Sequence, residues 1–200
     1  MLLAIDTSTG SAVAAVGDDG VVHAERTEPD TRRHAEAIGS LIAGALADAG
    51  ASAVDVTAVA VGMGPGPFTG LRVGIAAARA FARGRSVPLL AVVSHDAVAA
   101  EHAGPLVVVT DARRRELAWS QYAAAEAGMP VRLRGPELAP AADLDALLAS
   151  AAPGAVRVDA ALIPAGALGR IAVFRRAAGA EPGPDRPLYL RPPDVTVVAR

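Results

Sequence analysis

The chain contains no lysine, no cysteine and no asparagine, so all 19 of its basic residues are arginine. These absences exclude a Schiff-base or phosphate-binding lysine, a thiolate nucleophile, a disulfide and any cysteine-ligated metal. Codon bias is a sufficient cause, since alanine, arginine and glycine are abundant, but the chemical exclusion holds regardless. Aromatic residues make up only 3% although 52% of the chain is hydrophobic, so the core must come from Ala, Val and Leu. A net charge of -2 argues against strong independent RNA binding, which needs concentrated positive charge. No apolar run approaches membrane-spanning length. Met1-Leu-Leu-Ala leads directly into a strand and Asp6, with no basic leader and no cleavage site. A cytoplasmic protein without membrane contact is the expectation.

Two hundred residues suit one large domain or two small ones. Leu2 to Ile5, Ala12 to Val16 and Val21 to Arg26 read as strands, with Gly17-Asp-Asp-Gly20 as a hairpin turn. A helix from about His34 to Ala49 stops at Gly50. A strand at Val56–Val61, a helix at Leu71–Arg83 and a strand near Leu89–Val93 follow. Three consecutive strands and then alternating helix and strand predict an α/β, ribonuclease H-like half with a mixed sheet. A second copy begins at Leu106, because Leu106-Val-Val-Val-Thr-Asp111 and Leu117–Tyr122 repeat the strand–Asp turn–strand order. Helices near Ala141–Ala149 and Arg170–Ala178 and a strand at Ala155–Asp159 complete a reduced second half. The expected division is therefore 1–103 and 104–200.

The densest motif is Gly62-Met-Gly-Pro-Gly-Pro-Phe-Thr-Gly70-Leu-Arg-Val-Gly74. A buried strand breaks there into a glycine-rich turn and restarts as a helix, with Thr69 placed to cap it. Glycines before a helix suggest a phosphate cradle. The lysine and spacing of the strict phosphate loop are missing, however, and Pro65 and Pro67 each remove an N–H donor. A rigid turn poor in donors reads as a packing or docking element.

This motif resembles the signature of the bacterial TsaB family, the dimerisation subunit of the tRNA threonylcarbamoyladenosine synthase. Leu3-Ala-Ile-Asp-Thr-Ser8, His34-Ala-Glu36 and Pro187-Leu-Tyr-Leu-Arg191 agree with it, whereas Ala123 to Pro184 carries no matching motif. Pro67 stands where the family pattern has serine, so no hydroxyl role carries over there. The resemblance implies a fold of the actin, sugar-kinase and Hsp70 ATPase type, two ribonuclease H-like halves around a nucleotide cleft. It also implies a non-catalytic role in placing threonylcarbamoyl on the adenosine beside the tRNA anticodon. The implied partners are a homologous catalytic subunit and an associated ATPase subunit, with tRNA reached only through the complex.

Asp6, Thr7 and Ser8 are weak candidates for a phosphate turn, since a carboxylate that could hold magnesium through water stands beside hydroxyls. The simpler reading is a structural turn. Its counterpart Asp111-Ala-Arg-Arg-Arg115 has no glycine, and bulky side chains would fill a phosphate's space. Those arginines read as a solvated turn partly neutralised by Asp111 and Glu116, with contact to phosphate or RNA as the alternative. His34 has apolar Ile38 four positions on, His95 and His102 stand two turns apart, and His23 is alone in a strand. None forms a metal pair. Ser94-His95-Asp96 cannot form a relay, because consecutive helical residues point about 100° apart, and Ser94 reads as an N-cap. No catalytic residue, metal or cofactor is assigned. A small-molecule kinase using ATP in the inter-half cleft is the alternative; a glycoprotease-like hydrolase is a weaker one, lacking the histidine pair and cysteine.

The functional surface is expected on two helices. Ile38, Leu41, Ile42, Ala45, Leu46 and Ala49 form a core stripe on the first. The opposite face carries Glu36, Ala37, Ser40, Ala43, Gly44 and Ala47, where an ordinary helix has long charged residues. The second helix, apolar apart from arginines 72, 79 and 83 on one line, is expected to be buried nearly all round. Alanine enrichment alone would blanch any helix in this way. With the implied four-helix docking bundle, the candidate interface is Glu36, Ser40, Ala43, Gly44, Ala47, Phe68, Arg72 and Arg79; a homodimer through the same helices is expected when the chain is alone.

Overall fold

The computed structural model describes residues 1–180, 183–184 and 186–191. The last residues of the expected C-terminal tail, 192–200, lie outside them. The first sheet contains β1 (Leu2–Asp6), β2 (Ser11–Val16), β3 (Val22–Glu28), β4 (Ala58–Gly62) and β5 (Leu89–Val92). Its order is β3-β2-β1-β4-β5, with β1 antiparallel to β2 and parallel to β4. β1, β2 and β4 are buried along their whole length, which is why they read as unbroken apolar runs and not as alternating ones.

Two layers of helices cover this sheet. On one face, Leu3, Ile5 and Val13 pack with Leu41, Leu71 and Ile75 of α1 (His34–Asp48) and α2 (Phe68–Arg85). The other face is covered by α3 (Ser94–Ala99) and the C-terminal α5, residues Ala165–Ala177, with Leu2, Ala4 and Val16 against Leu168 and Ile171. A fully buried Leu or Ile contributes about 1.5–3 kcal/mol, so these contacts fix the element positions despite the scarcity of aromatics.

The second sheet holds β6 (Leu106–Asp111), β7 (Glu116–Tyr122), β8 (Arg132–Pro140) and β9 (Val156–Asp159) in the order β8-β7-β6-β9. β6 pairs antiparallel with β7 and parallel with β9, repeating the β2-β1-β4 arrangement with one strand fewer among the described residues. The expected duplicated and reduced architecture is therefore present. α4 (Leu144–Ala151) covers one face through Leu144 and Leu148. β8 carried no expectation, because prolines and polar residues interrupt its pattern. α5 packs chiefly on β1 and β2, and its buried cluster also takes in Leu106, Val108 and Tyr122 of the second sheet.

The joint between the sheets is built on α3. His95 is fully buried, with Nδ1 2.8 Å from the Ser120 Oγ and Nε2 2.9 Å from the Thr110 Oγ1. Asp96 accepts from the Tyr122 hydroxyl at 2.9 Å and from Arg175 at 3.0 Å, and Arg132 lies 3.4 Å away. Tyr122 is pushed well above its ordinary pKa by burial and by the Asp96 carboxylate. Ser94, His95 and Asp96 thus point to three different places, as their helical spacing requires.

Candidate functional site

The separated signature pieces meet at one point. Asp6 ends β1 and is buried; its Oδ1 accepts from the Ser8 N–H at 2.7 Å and the Ser8 hydroxyl at 2.5 Å. Its Oδ2 accepts from the Ser94 hydroxyl at 2.6 Å, and Ser94 in turn accepts the Gly64 N–H at 3.0 Å. Ser94 is therefore not a cap: it is the first residue of α3, and its side chain ties Asp6 to the glycine turn. Gly62 permits this closeness, since a Cβ there would lie on the Asp6 carboxylate. Burial raises the Asp6 pKa, against the opposing pull of the Ser8 and Ser94 hydrogen bonds.

Thr7 continues the same pattern. Its hydroxyl donates to the Gly70 carbonyl at 2.7 Å and accepts the Gly74 N–H at 3.0 Å, which pins the first two turns of α2. Gly74 is needed because a side chain there would collide with Thr7. Asp6, Thr7 and Ser8 are all buried, and their polar groups are taken up by the chain's own turn and helix. His34 is also buried, with Nδ1 2.8 Å from the Ser11 Oγ; burial, aided by the Arg113 charge, lowers its pKa. Among the described residues no group of three or more His, Cys, Asp or Glu is placed to hold a metal. No described helix is long and apolar enough to cross a membrane.

The N-cap of α2 is Pro67, with φ near the value its ring imposes, and no side chain caps the helix. Thr69 lies exposed in the first turn instead of capping it. α2 is not buried all round: Arg72, Ala76, Arg79, Ala80, Arg83 and Gly84 face outward, and only the opposite stripe reaches the core. On α1, Glu36, Ser40, Ala43 and Ala47 form an exposed line, joined by Ala35 and Gly39. Ala37, expected on that line, is buried in the core. Gly44, expected with it too, lies under the Arg26 guanidinium of β3, which a Cβ would approach to 2.5 Å. Arg26 is held there by Asp48 through two hydrogen bonds of 2.5 and 2.8 Å. The outward positions Gly39 and Ala76 were legible as three-four neighbours of the expected residues, whereas Ala35 and Ala80 were not. The side taken by Ala37 and Gly44 was not, because β3 folds over that flank of α1.

Phe68 and Arg72 belong to a cluster at the N-terminal end of α2. The Arg72 guanidinium lies 3.6 Å over the Phe68 ring, and the Tyr189 ring centroid is 4.9 Å from that of Phe68. Arg72 Nε donates to the Tyr189 hydroxyl at 3.3 Å. The Leu188 N–H donates to the Met63 carbonyl at 2.7 Å, so the Pro187–Arg191 segment is strapped onto the glycine turn. Across from it, Arg113, Arg114 and Arg115 all adopt positive φ, 62°, 55° and 61°. For side-chain-bearing residues this costs about 1 kcal/mol each. The turn is held by the Arg113 N–H on Asp111 Oδ1 at 2.9 Å and by Arg191 donating to the Arg113 carbonyl at 3.3 Å. Glu116, expected to neutralise this turn, pairs with Arg191.

Relatives agree with this geometry. A family model described as TsaD, tRNA N6-adenosine threonylcarbamoyltransferase, matches residues 22–134. A Mycobacterium tuberculosis protein, itself described as uncharacterized, is 41% identical over 99% of this chain and 95% of its own length. The Escherichia coli tRNA threonylcarbamoyladenosine biosynthesis protein TsaB is 35% identical over 64% of this chain and 57% of its own. The YeaZ structure from Pseudomonas aeruginosa has a TM-score of 0.76 at 27% identity and covers 94% of this chain and 99% of that one. A family match that spans the glycine turn, a TsaB relative of 35% identity and a solved neighbour that covers 94% of the chain lead to one conclusion: the chain belongs to the TsaB family.

Proposed function

We propose that this chain is the non-catalytic docking subunit of a tRNA threonylcarbamoyladenosine synthase. It pairs through the outward faces of α1 and α2 with a homologous catalytic subunit, an associated ATPase subunit joins the assembly, and tRNA is engaged through the complex in the cytoplasm. The observation that carries this reading is the outward line Ser40, Ala43 and Ala47 beside Ala76 and Ala80, where small side chains let a second helix pair approach closely. The match of residues 22–134 to a catalytic family spans both helices and favours the pairing of like folds. The Asp6–Ser8 turn supports a non-catalytic role, because its hydrogen-bonding groups are engaged by Ser94, Gly70 and Gly74.

Ala43→Arg tests the proposal. Ala43 is exposed, so the variant keeps its fold and melts within a few degrees of the parent, surface changes costing about 0.5 kcal/mol. An unpaired charge buried at an interface costs about 3–5 kcal/mol, so pairing with the catalytic subunit and the tRNA modification are lost. A well-folded Ala43→Arg protein that still forms the complex refutes this docking face.

A further inference from the structure

The outward face of α2 carries an arginine ridge along one flank. Arg72, Arg79 and Arg83 are exposed and, at about 100° per residue, fall within about 40° of one another over about 16 Å of helix. Ala76 and Ala80 come next around the helix, so the ridge borders the small residues of the docking face. Arg79 and Arg83 make no hydrogen bond or ion pair among the described residues. Arg72 rests on two neutral groups, the Phe68 ring and the Tyr189 hydroxyl, which leave its charge uncompensated. Resting on the docking role proposed above, we infer that the partner's helix face is acidic opposite this ridge, and that the ridge selects such a partner over a second copy of the chain.

The charge balance of the two helices leads there. The exposed line of α1 holds Glu36, which already lies 3.4 Å from Arg33, and Asp48, which is held by Arg26. Every other exposed position on α1 and α2 is Ala, Gly, Ser or Thr. The face is therefore net positive, although the whole chain carries -2. Two copies brought face to face set like charge against like, whatever the direction of the two-fold axis, and such juxtaposition weakens the wrong pairing. A carboxylate-bearing helix instead receives Arg79 and Arg83 in charge-assisted, bidentate hydrogen bonds. Nucleic-acid binders also use arginines, but on a broad basic surface, whereas this ridge is flanked by small neutral residues that suit a close-packed helix.

Analytical ultracentrifugation of the full chain, alone and mixed with the catalytic subunit of the same organism, tests this at about 50 and about 500 mM sodium chloride. Salt weakens the mixed pair about tenfold or more and tightens the self-pair about threefold, because it screens attraction in one and repulsion in the other. Arg79→Gln/Arg83→Gln changes exposed positions to a good helix former, so it melts within a few degrees of the parent. It self-associates about threefold more tightly and binds the catalytic subunit about tenfold more weakly. Arg79→Glu/Arg83→Glu, mixed one-to-one with the parent chain, forms a mixed dimer tighter than either self-pair, and salt loosens it. Ala43→Arg separates this inference from the docking role on which it rests. If Ala43→Arg abolishes pairing while salt and the arginine variants leave both affinities unchanged, the docking face stands and the acidic partner is refuted. If pairing survives Ala43→Arg, the face is wrong and the inference falls with it. Saturable tRNA binding by the isolated chain, lost in the glutamine variant while pairing is unchanged, assigns the ridge to nucleic acid and also overturns it.

Discussion

Acid should loosen the joint between the two sheets through His95. This imidazole is fully buried between the Ser120 and Thr110 hydroxyls, and burial, with a smaller push from Arg132, lowers its pKa to about 3. In the unfolded chain it takes up a proton near 6.5, so between those values the unfolded state binds more protons and stability falls as pH falls. The contribution is fully present above about 6.5 and lost down to about 3. At pH 5 the unfolded chain gains about 2 kcal/mol from this group alone, and below about pH 3 the total reaches roughly 5 kcal/mol. For a chain of this length, 2 kcal/mol corresponds to a drop of about 4–8 °C in melting temperature. His34 acts in the same direction, whereas Asp6, raised by burial, destabilises as pH rises. The diagnostic comparison is therefore with His95→Gln, measured by thermal melts at pH 7 and pH 5. The variant loses about 1–3 kcal/mol at both pH values from poorer packing, but its drop between them is smaller than the parent's by about 4–8 °C. Equal drops in parent and variant refute the assignment of acid sensitivity to this histidine.

Gly62→Ala places a methyl group on the Asp6 carboxylate and should cost about 3 kcal/mol or more, seen as a melting temperature lowered by about 6 °C or beyond, or as insoluble protein. A variant as stable as the parent contradicts the close packing of β4 on β1. The isolated chain should form a concentration-dependent homodimer through α1 and α2, since like helices pair isologously; light scattering showing a strict monomer at millimolar concentration counts against this. The isolated chain should show no ATPase or threonylcarbamoyl-transfer activity, and turnover that disappears in Asp6→Ala would restore the kinase reading.

Periodicity and turn chemistry were enough to locate every strand of the first sheet within two residues, the α1 core residues Leu41, Ala45 and Leu46, and the repeat of the β1–β2 unit as β6–β7. Those features depend on near neighbours along the chain, and side-chain spacing records them directly. The glycine motif could likewise be read as a packing element, because missing lysine and extra prolines are properties of the sequence itself. What it packs against could not be read. The hydrogen bonds from Ser94 to Asp6 and from Thr7 to Gly70 join residues 88 and 63 positions apart, and no local pattern encodes such a pairing. The same holds for α5, whose apolar residues suit either sheet until the chain's return path seats it chiefly on β1 and β2. It holds for Gly44, which looks like an open surface position until Arg26 of β3 lies over it. Sequence determines which faces are apolar or small; which of those faces the rest of the chain covers is decided only when distant elements compete for the same surface.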